Sequence, residues 1–221
     1  MNRILTINIG NYWHPNAKAS VVAAAKRWGC ELIEIASDFG CRDIFAAKFR
    51  VGQFCHADGR CLYLDADMLI RADAPSPFVI VPASHMAAVA NWQDGMGDEQ
   101  EGYEKPSWAR ACQQLGKSHT YHRGAYVNGG LVMFSAEHLP VLRFLDRAMT
   151  DTTGVNEQAA WGVAMMDAPT YYLPSTWNRV GPAVWNSGPR MSDYVYHFAC
   201  YMGWRGHHKA EKINAVRWQN C

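Results

Sequence analysis

The stretch CLYLDADMLI, Cys61–Ile70, decides how the chain is read. An apolar run, Cys61 to Leu64, has the look of a buried strand, and it delivers two carboxylates, Asp65 and Asp67, where that strand would leave a sheet. Alternate residues at a strand end can turn into one cleft, and the small Ala66 between them lets a ligand approach the backbone. Two hard oxygen donors at this spacing suit a divalent cation that itself holds something else, such as a diphosphate. Aspartate after a strand also makes turns and caps helices, so the pair acquires weight only from what surrounds it.

Outward from that stretch the pattern alternates. Arg3 to Ile9 reads as a strand, and Asn16 can cap a helix over Ala17 to Trp28 that stops at Gly29. Glu31 to Ala36 is a second strand, and Ile44 to Phe54 is apolar at helical spacing before the chain turns into Cys61. Strand, helix, strand, helix, strand predicts a mostly parallel central sheet with helices on both faces, whose ligands sit beyond the carboxyl ends of the strands. Met86 to Trp92 is a further strand. Asp94 to Tyr126 then reads as a long loop rich in glycine, charge and aromatics, with one short helix over Ser107 to Leu115. A connection of that length beside a cleft is usually functional, and we expect it to act as a lid that builds an acceptor pocket. A strand at Asn128 to Phe134, a helix from Ala136 to Met149 and a helix capped by Asn156 follow, and the last third reads as short strands and loops.

A length of 221 residues fits one sizeable core, so a single domain is expected over 1–221. No apolar run approaches the roughly 18 residues of a membrane span, and the amino terminus enters a strand pattern without a leader-like stretch; the expectation is cytoplasmic residence. Seven scattered cysteines without a Cys-Xaa-Xaa-Cys pair argue against structural zinc and for reduced thiols, with Cys61 buried. A net charge of +1 gives no global pull toward nucleic acid or an anionic surface, although residues 205–221 form a basic tail.

Downstream of the aspartates come Val127-Asn128-Gly129-Gly130-Leu131, Asn156-Glu157-Gln158, Leu173-Pro174 with Trp177-Asn178, and Tyr196-His197-Phe198. In their order and spacing these resemble the retaining glycosyltransferases of the glycogenin and bacterial lipooligosaccharide galactosyltransferase type, from Arg3 to about Trp204. The resemblance implies a single GT-A, Rossmann-like domain. It implies that Asp65, Asp67 and His197 bind Mn2+ or Mg2+ on the diphosphate of a nucleotide-sugar, a UDP-sugar by analogy; an imidazole ligand favours manganese. Thr6, Asn8 and Tyr12 match positions that hold the uridine, and Lys48 matches a basic residue that reaches the donor. Asn128 and Gly129 match the segment beside the sugar, and Glu157 and Gln158 the acid and amide near the reacting carbon. Because an amide is a poor nucleophile, attack on the face the diphosphate leaves is favoured over a covalent intermediate.

The chain departs from these relatives after His197, where their Lys-Pro-Trp segment is absent. Arg205 or Lys209 can supply the missing charge. The implied acceptor is a glycan, with hydroxylated bases of modified DNA as the alternative suggested by the basic, aromatic tail. A phosphatase of the haloacid dehalogenase type also places Asp-Xaa-Asp after a strand, but it wants Thr or Val where Leu69 stands and has its pair near the amino terminus. A nucleotide-sugar pyrophosphorylase needs a glycine-rich basic loop after the first strand, which NIGNYWHP is not. A non-catalytic sugar-binding protein would be expected to lack one of the three metal ligands, and all are present.

Overall fold

Nine consecutive buried residues, Val127–Ser135, form strand β6, the longest among the described residues and the one against which the site is built. The computed structural model describes residues 1–11, 13–41, 44–92, 99–149, 156–180 and 192–198. Tyr12, Arg205, Lys209 and the basic tail lie outside them. The central sheet has the order β2-β1-β3-β6-β5-β7, from β1 (Arg3–Ile7), β2 (Glu31–Ile35), β3 (Arg60–Leu64), β5 (Met86–Ala90), β6 and β7 (Thr170–Leu173). The β1–β2, β1–β3 and β5–β7 pairs are parallel, and only β6 runs against its neighbours. The sheet is therefore mostly parallel, as expected.

Side-chain alternation along these strands feeds two cores. Leu5, Ile7, Cys61, Tyr63, Val132 and Phe134 face helices α4 (Glu99–Gln114), α5 (Leu139–Ala148) and α6 (Glu157–Met165). Ile4, Leu62, Leu64, Leu131 and Met133 face helix α1 (Pro15–Trp28). Helices thus cover both faces, as period-two burial of apolar strands requires. Helix α1 ends at Gly29 in the left-handed conformation (φ 62°), but its cap is His14, whose side chain accepts from the Asn16 amide. Pro15 explains the shift from Asn16: its fixed φ suits the first helical position and its missing N–H costs nothing there.

Three elements differ from the sequence reading. The stretch 44–54 is one α-turn, α2 (Ile44–Ala47), that tightens into a 3-10 helix over Lys48–Phe54. Helix α4 begins at Glu99 and runs through Pro106 to Gln114, well beyond the short helix expected over Ser107 to Leu115. Trp108, Ala111, Cys112 and Leu115 are buried in the core shared with α6, and this packing outweighs the proline. A second, three-stranded sheet, β4-β9-β8, also appears, from β4 (Met68–Ile70), β8 (Arg179–Val180) and β9 (Val195–His197). A short helix α3 (Pro77–Ile80) connects β4 to β5. The described cysteines are free thiols and Cys61 is buried. Among the described residues no helix is long and apolar enough to cross a membrane.

Candidate metal and donor site

Strand β3 ends at Leu64, and the next residue, Asp65, still reaches β6 through its N–H to the Gly130 carbonyl at 2.9 Å. The chain turns sharply, with the Met68 N–H on the Asp65 carbonyl at 3.1 Å, and enters β4. Antiparallel pairing of β4 with β9 sets Met68 opposite His197, and the Phe198 N–H bonds the Asp67 carbonyl at 3.1 Å. Two residues distant in sequence are thereby held side by side. The result is a cluster in which one donor atom each from Asp65, Asp67 and His197 lies within 4.8 Å of the others. His197 Nε2 stands 3.5 Å from Asp65 Oδ2 and 3.3 Å from Asp67 Oδ1.

Glycine at 130 is what leaves room for this cluster. A Cβ there would meet His197 Cε1 at 2.3 Å and Asp65 Oδ2 at 2.9 Å, so any side chain would occupy the place of the ligands. Sequence reading singled out Gly129; the closer approach is at Gly130. A Cβ on Gly129 would meet Glu157 Oε1 at 3.2 Å.

Lys48, 5% exposed, ties the cluster to α6. Its ammonium donates to Asp65 Oδ2 at 3.0 Å and to Glu157 Oε1 at 3.2 Å. Burial works against the ammonium, but the Asp65 and Glu157 carboxylates outweigh it and hold Lys48 above the ordinary lysine range. Burial likewise opposes the charge on Asp65, yet Lys48 and then His197 keep its carboxyl below the usual range. His197 resists protonation through its burial, and Asp67 and Asp65 reverse this, raising it to about 9. Tyr63, whose hydroxyl donates to Asp65 Oδ1 at 2.6 Å, is pushed well upward by burial and then by that carboxylate, so it stays a donor. Tyr63 escaped the sequence reading, as its alternation with Leu62 and Leu64 marks it only as core.

Three carboxylates, Asp65, Asp67 and Glu157, face one ammonium and one imidazole. With the imidazole neutral this set carries two negative charges in excess, which a divalent cation would offset. Two carboxylate oxygens and one nitrogen, opened by Gly130, fit such an ion.

The other expected residues fall around this centre. Thr6 and Asn8 lie at the carboxyl end of β1, beside the end of β3 on the same rim. Thr6 is fully buried with its hydroxyl lacking a hydrogen-bond partner among the described residues. Asn8 donates to Glu34 at 2.6 Å and accepts from the Trp13 amide at 3.0 Å. Ala66 is half-buried against the α1-side core. Asn156 caps α6 by accepting from the Gln158 amide at 3.1 Å, which puts Glu157 in the first turn, where a carboxylate also favours the helix dipole. Glu157 is buried and ion-paired, whereas Gln158 is half-buried. Asn128 is tied into the protein through both ends of its side-chain amide. Its Oδ1 accepts from the Gly130 N–H at 3.0 Å and from Asn178 at 3.0 Å, and its Nδ2 donates to Asn91 at 3.1 Å.

No family model and no curated protein matches the sequence. Solved structures do match the fold. A glycosyltransferase involved in the glycosylation of the major capsid of PBCV-1 aligns over 97% of this chain and 99% of its own, with a TM-score of 0.65 at 12% identity. The galactosyltransferase LgtC, solved with donor and acceptor sugar analogs, aligns over 97% and 96%, with a TM-score of 0.54 at 16% identity. Mouse xyloside xylosyltransferase 1 aligns over 90% and 98%, with a TM-score of 0.52 at 11% identity. The fold is thus that of the GT-A glycosyltransferases.

Proposed function

We propose that the chain is a metal-dependent, retaining glycosyltransferase that moves a sugar from a nucleotide-sugar, a UDP-sugar, to a hydroxyl of a glycan. The observation that carries this is the Asp65, Asp67 and His197 cluster at the carboxyl end of the central strand β3, in a fold shared with glycosyltransferases. Asp65, Asp67 and His197 would hold Mn2+ or Mg2+, which when bound supplies positive charge opposite a departing diphosphate. Thr6 and Asn8 line the rim where the nucleoside would rest. Lys48 pairs with Asp65 and Glu157 in a buried setting, and Gly129 and Gly130 leave the floor open for the sugar ring.

In the transfer, the bond from the anomeric carbon to the phosphate oxygen breaks and a bond to the acceptor oxygen forms. The acceptor proton passes to a phosphate oxygen of the leaving group. Glu157 is locked onto Lys48, which makes it a poor attacking group and supports same-face attack over a covalent intermediate. Its negative charge, with the Gln158 amide, can offset the positive character of the sugar in the transition state.

The test is a screen of nucleotide-sugars for thermal stabilisation with and without Mn2+, where a ligand at 100 times its Kd adds about 2.7 kcal/mol. The stabilising donor is then offered oligosaccharides and hydroxymethylated duplex DNA as labelled-transfer acceptors. Transfer to saccharide, lost in chelator and in Asp67→Asn, is the expected result. Full turnover in excess chelator refutes the metal, label appearing in modified DNA alone refutes the glycan, and an inverted linkage refutes retention.

A further inference from the structure

A row of buried amides leads away from the cluster. His197 Nδ1 lies 3.2 Å from Asn178 Oδ1, Asn178 Nδ2 donates to Asn128 Oδ1 at 3.0 Å, Asn128 Nδ2 to Asn91 Oδ1 at 3.1 Å, and Asn91 Nδ2 to Glu104 Oε1 at 2.8 Å. Asn91, Asn128, Asn178 and Glu104 are all buried, Asn178 and Glu104 completely. Glu104 stands on α4 and also accepts from Gln100 at 3.2 Å and from the Tyr121 hydroxyl at 2.6 Å.

An amide can be reversed without changing its shape, so the direction of such a row is set only where a group that cannot reverse meets it. Two such groups are present. The Gly130 N–H is a backbone donor and requires Asn128 to turn its oxygen toward it. Glu104 receives donors on both oxygens and requires Asn91 to turn its nitrogen toward it. Asn128 must then give its nitrogen to Asn91, Asn178 must give its nitrogen to Asn128, and the Asn178 oxygen is left facing His197 Nδ1.

We infer that Asn178, with Asn128, Asn91 and Glu104 behind it, is a positioning residue that keeps the His197 proton on Nδ1 and so presents Nε2 as the metal-binding nitrogen. The inference rests on the proposed metal site. The ring nitrogen not bound to metal commonly donates to a fixed acceptor, and loss of that acceptor costs roughly 10–100-fold in metal affinity. Here the acceptor is an amide whose own orientation is anchored on β6 and on α4.

The experiment measures Mn2+ binding alone, by electron paramagnetic resonance and without donor or acceptor, and reads by long-range 1H–15N NMR, in the protein loaded with diamagnetic Zn2+, which His197 nitrogen keeps its proton. Asn178→Leu should weaken Mn2+ about 10–100-fold. Glu104→Leu should weaken it less, and Glu104→Gln, which keeps an acceptor for Asn91, should recover most of the loss. With the metal bound, wild-type His197 should keep its proton on Nδ1, and Asn178→Leu should leave a mixture of the two ring orientations. Unchanged Mn2+ affinity in a folded Asn178→Leu, or a wild-type proton on Nε2, overturns the inference. Failure of the wild type to bind Mn2+ refutes the metal reading on which the inference rests, and it is told apart because it shows without any variant. The wild-type proton position likewise needs no variant, so misfolding of Asn178→Leu leaves the inference open to refutation.

Discussion

Replacing Gly130 with alanine should remove metal binding while leaving the fold largely in place. The new methyl would stand 2.3 Å from His197 Cε1, 2.9 Å from His197 Nδ1 and 2.9 Å from Asp65 Oδ2, whereas ordinary contact begins near 3.4 Å. The imidazole must therefore retreat by about 1 Å, and displacements of that size at a reacting centre cost on the order of 10²-fold. Retreat is resisted on two sides: His197 is paired with Met68 across β4 and β9, and Asn178 holds its Nδ1 at 3.2 Å. Overpacking of this kind costs about 1–3 kcal/mol of stability, which a protein of this size can tolerate. Gly129→Ala is the matched control, since its methyl would meet Glu157 Oε1 at 3.2 Å and Trp161 Cδ1 at 3.4 Å, contacts that a few tenths of an ångström relieve. Calorimetric titration with Mn2+ and a urea melt on both variants separate the two effects. The expected outcome is a loss of at least about 100-fold in Mn2+ affinity for Gly130→Ala and a change within a few-fold for Gly129→Ala. Wild-type affinity in Gly130→Ala would refute the placement of His197 against β6.

Lys48→Met should destabilise the protein by about 3–5 kcal/mol, because it strands the buried Glu157 and Asp65 carboxylates, and adding Glu157→Gln should restore part of that in urea melts. A single variant within about 0.5 kcal/mol of wild type would contradict the buried triad. Tyr63→Phe removes a charged hydrogen bond worth about 1.5–3 kcal/mol, so a urea melt should lose roughly that much stability, and an unchanged melt would show that Asp65 needs no such brace. Burial depresses His138, whose Nδ1 accepts from the Ser135 N–H at 3.1 Å, so the unfolded chain takes up this proton first as pH falls. Its contribution is complete above about pH 6.5 and is lost as pH drops through the lower folded value. His138→Gln, which keeps a capping acceptor, should flatten melting temperature against pH in that window; parallel curves for the two proteins would exclude His138 as the cause.

The parts of the site that lay open in the sequence are those with local pattern. Asp65 and Asp67 follow an apolar run, Gly29 stops a helix, and Asn156 precedes one, each a signal within a few residues. His197 entered through family resemblance, since nothing around Tyr196 and Phe198 distinguishes a ligand from a core histidine. The pairing that brings it to Asp67 could not be read, because β4 and β9 are three residues each and Met68–Ile70 looks like a continuation of the preceding run. Helix α4 was hidden by Gly102, Pro106 and its charges; what stabilises it is contact of Trp108 and Ala111 with α6, a tertiary effect. Glu104 belongs to the same problem, for a carboxylate amid charged neighbours gives no sign in sequence that it will be enclosed. Asn91 is a lone asparagine, and Asn178, although part of the Trp177-Asn178 motif, gains its contact with His197 only through the tertiary fold.

Because β5 and β6 are antiparallel, with Ala90 opposite Val127, everything between them departs from and returns to one spot on the rim. The segment that joins them is thus a cassette with a fixed mouth, whose helix α4 gives Trp108 and Ala111 to the core. The cassette also carries Asn91 at its entrance and Glu104 within α4. An exchange of this segment meant to alter acceptor choice would also detach the far end of the amide row, and grafts should be made with Asn91 and Glu104 retained.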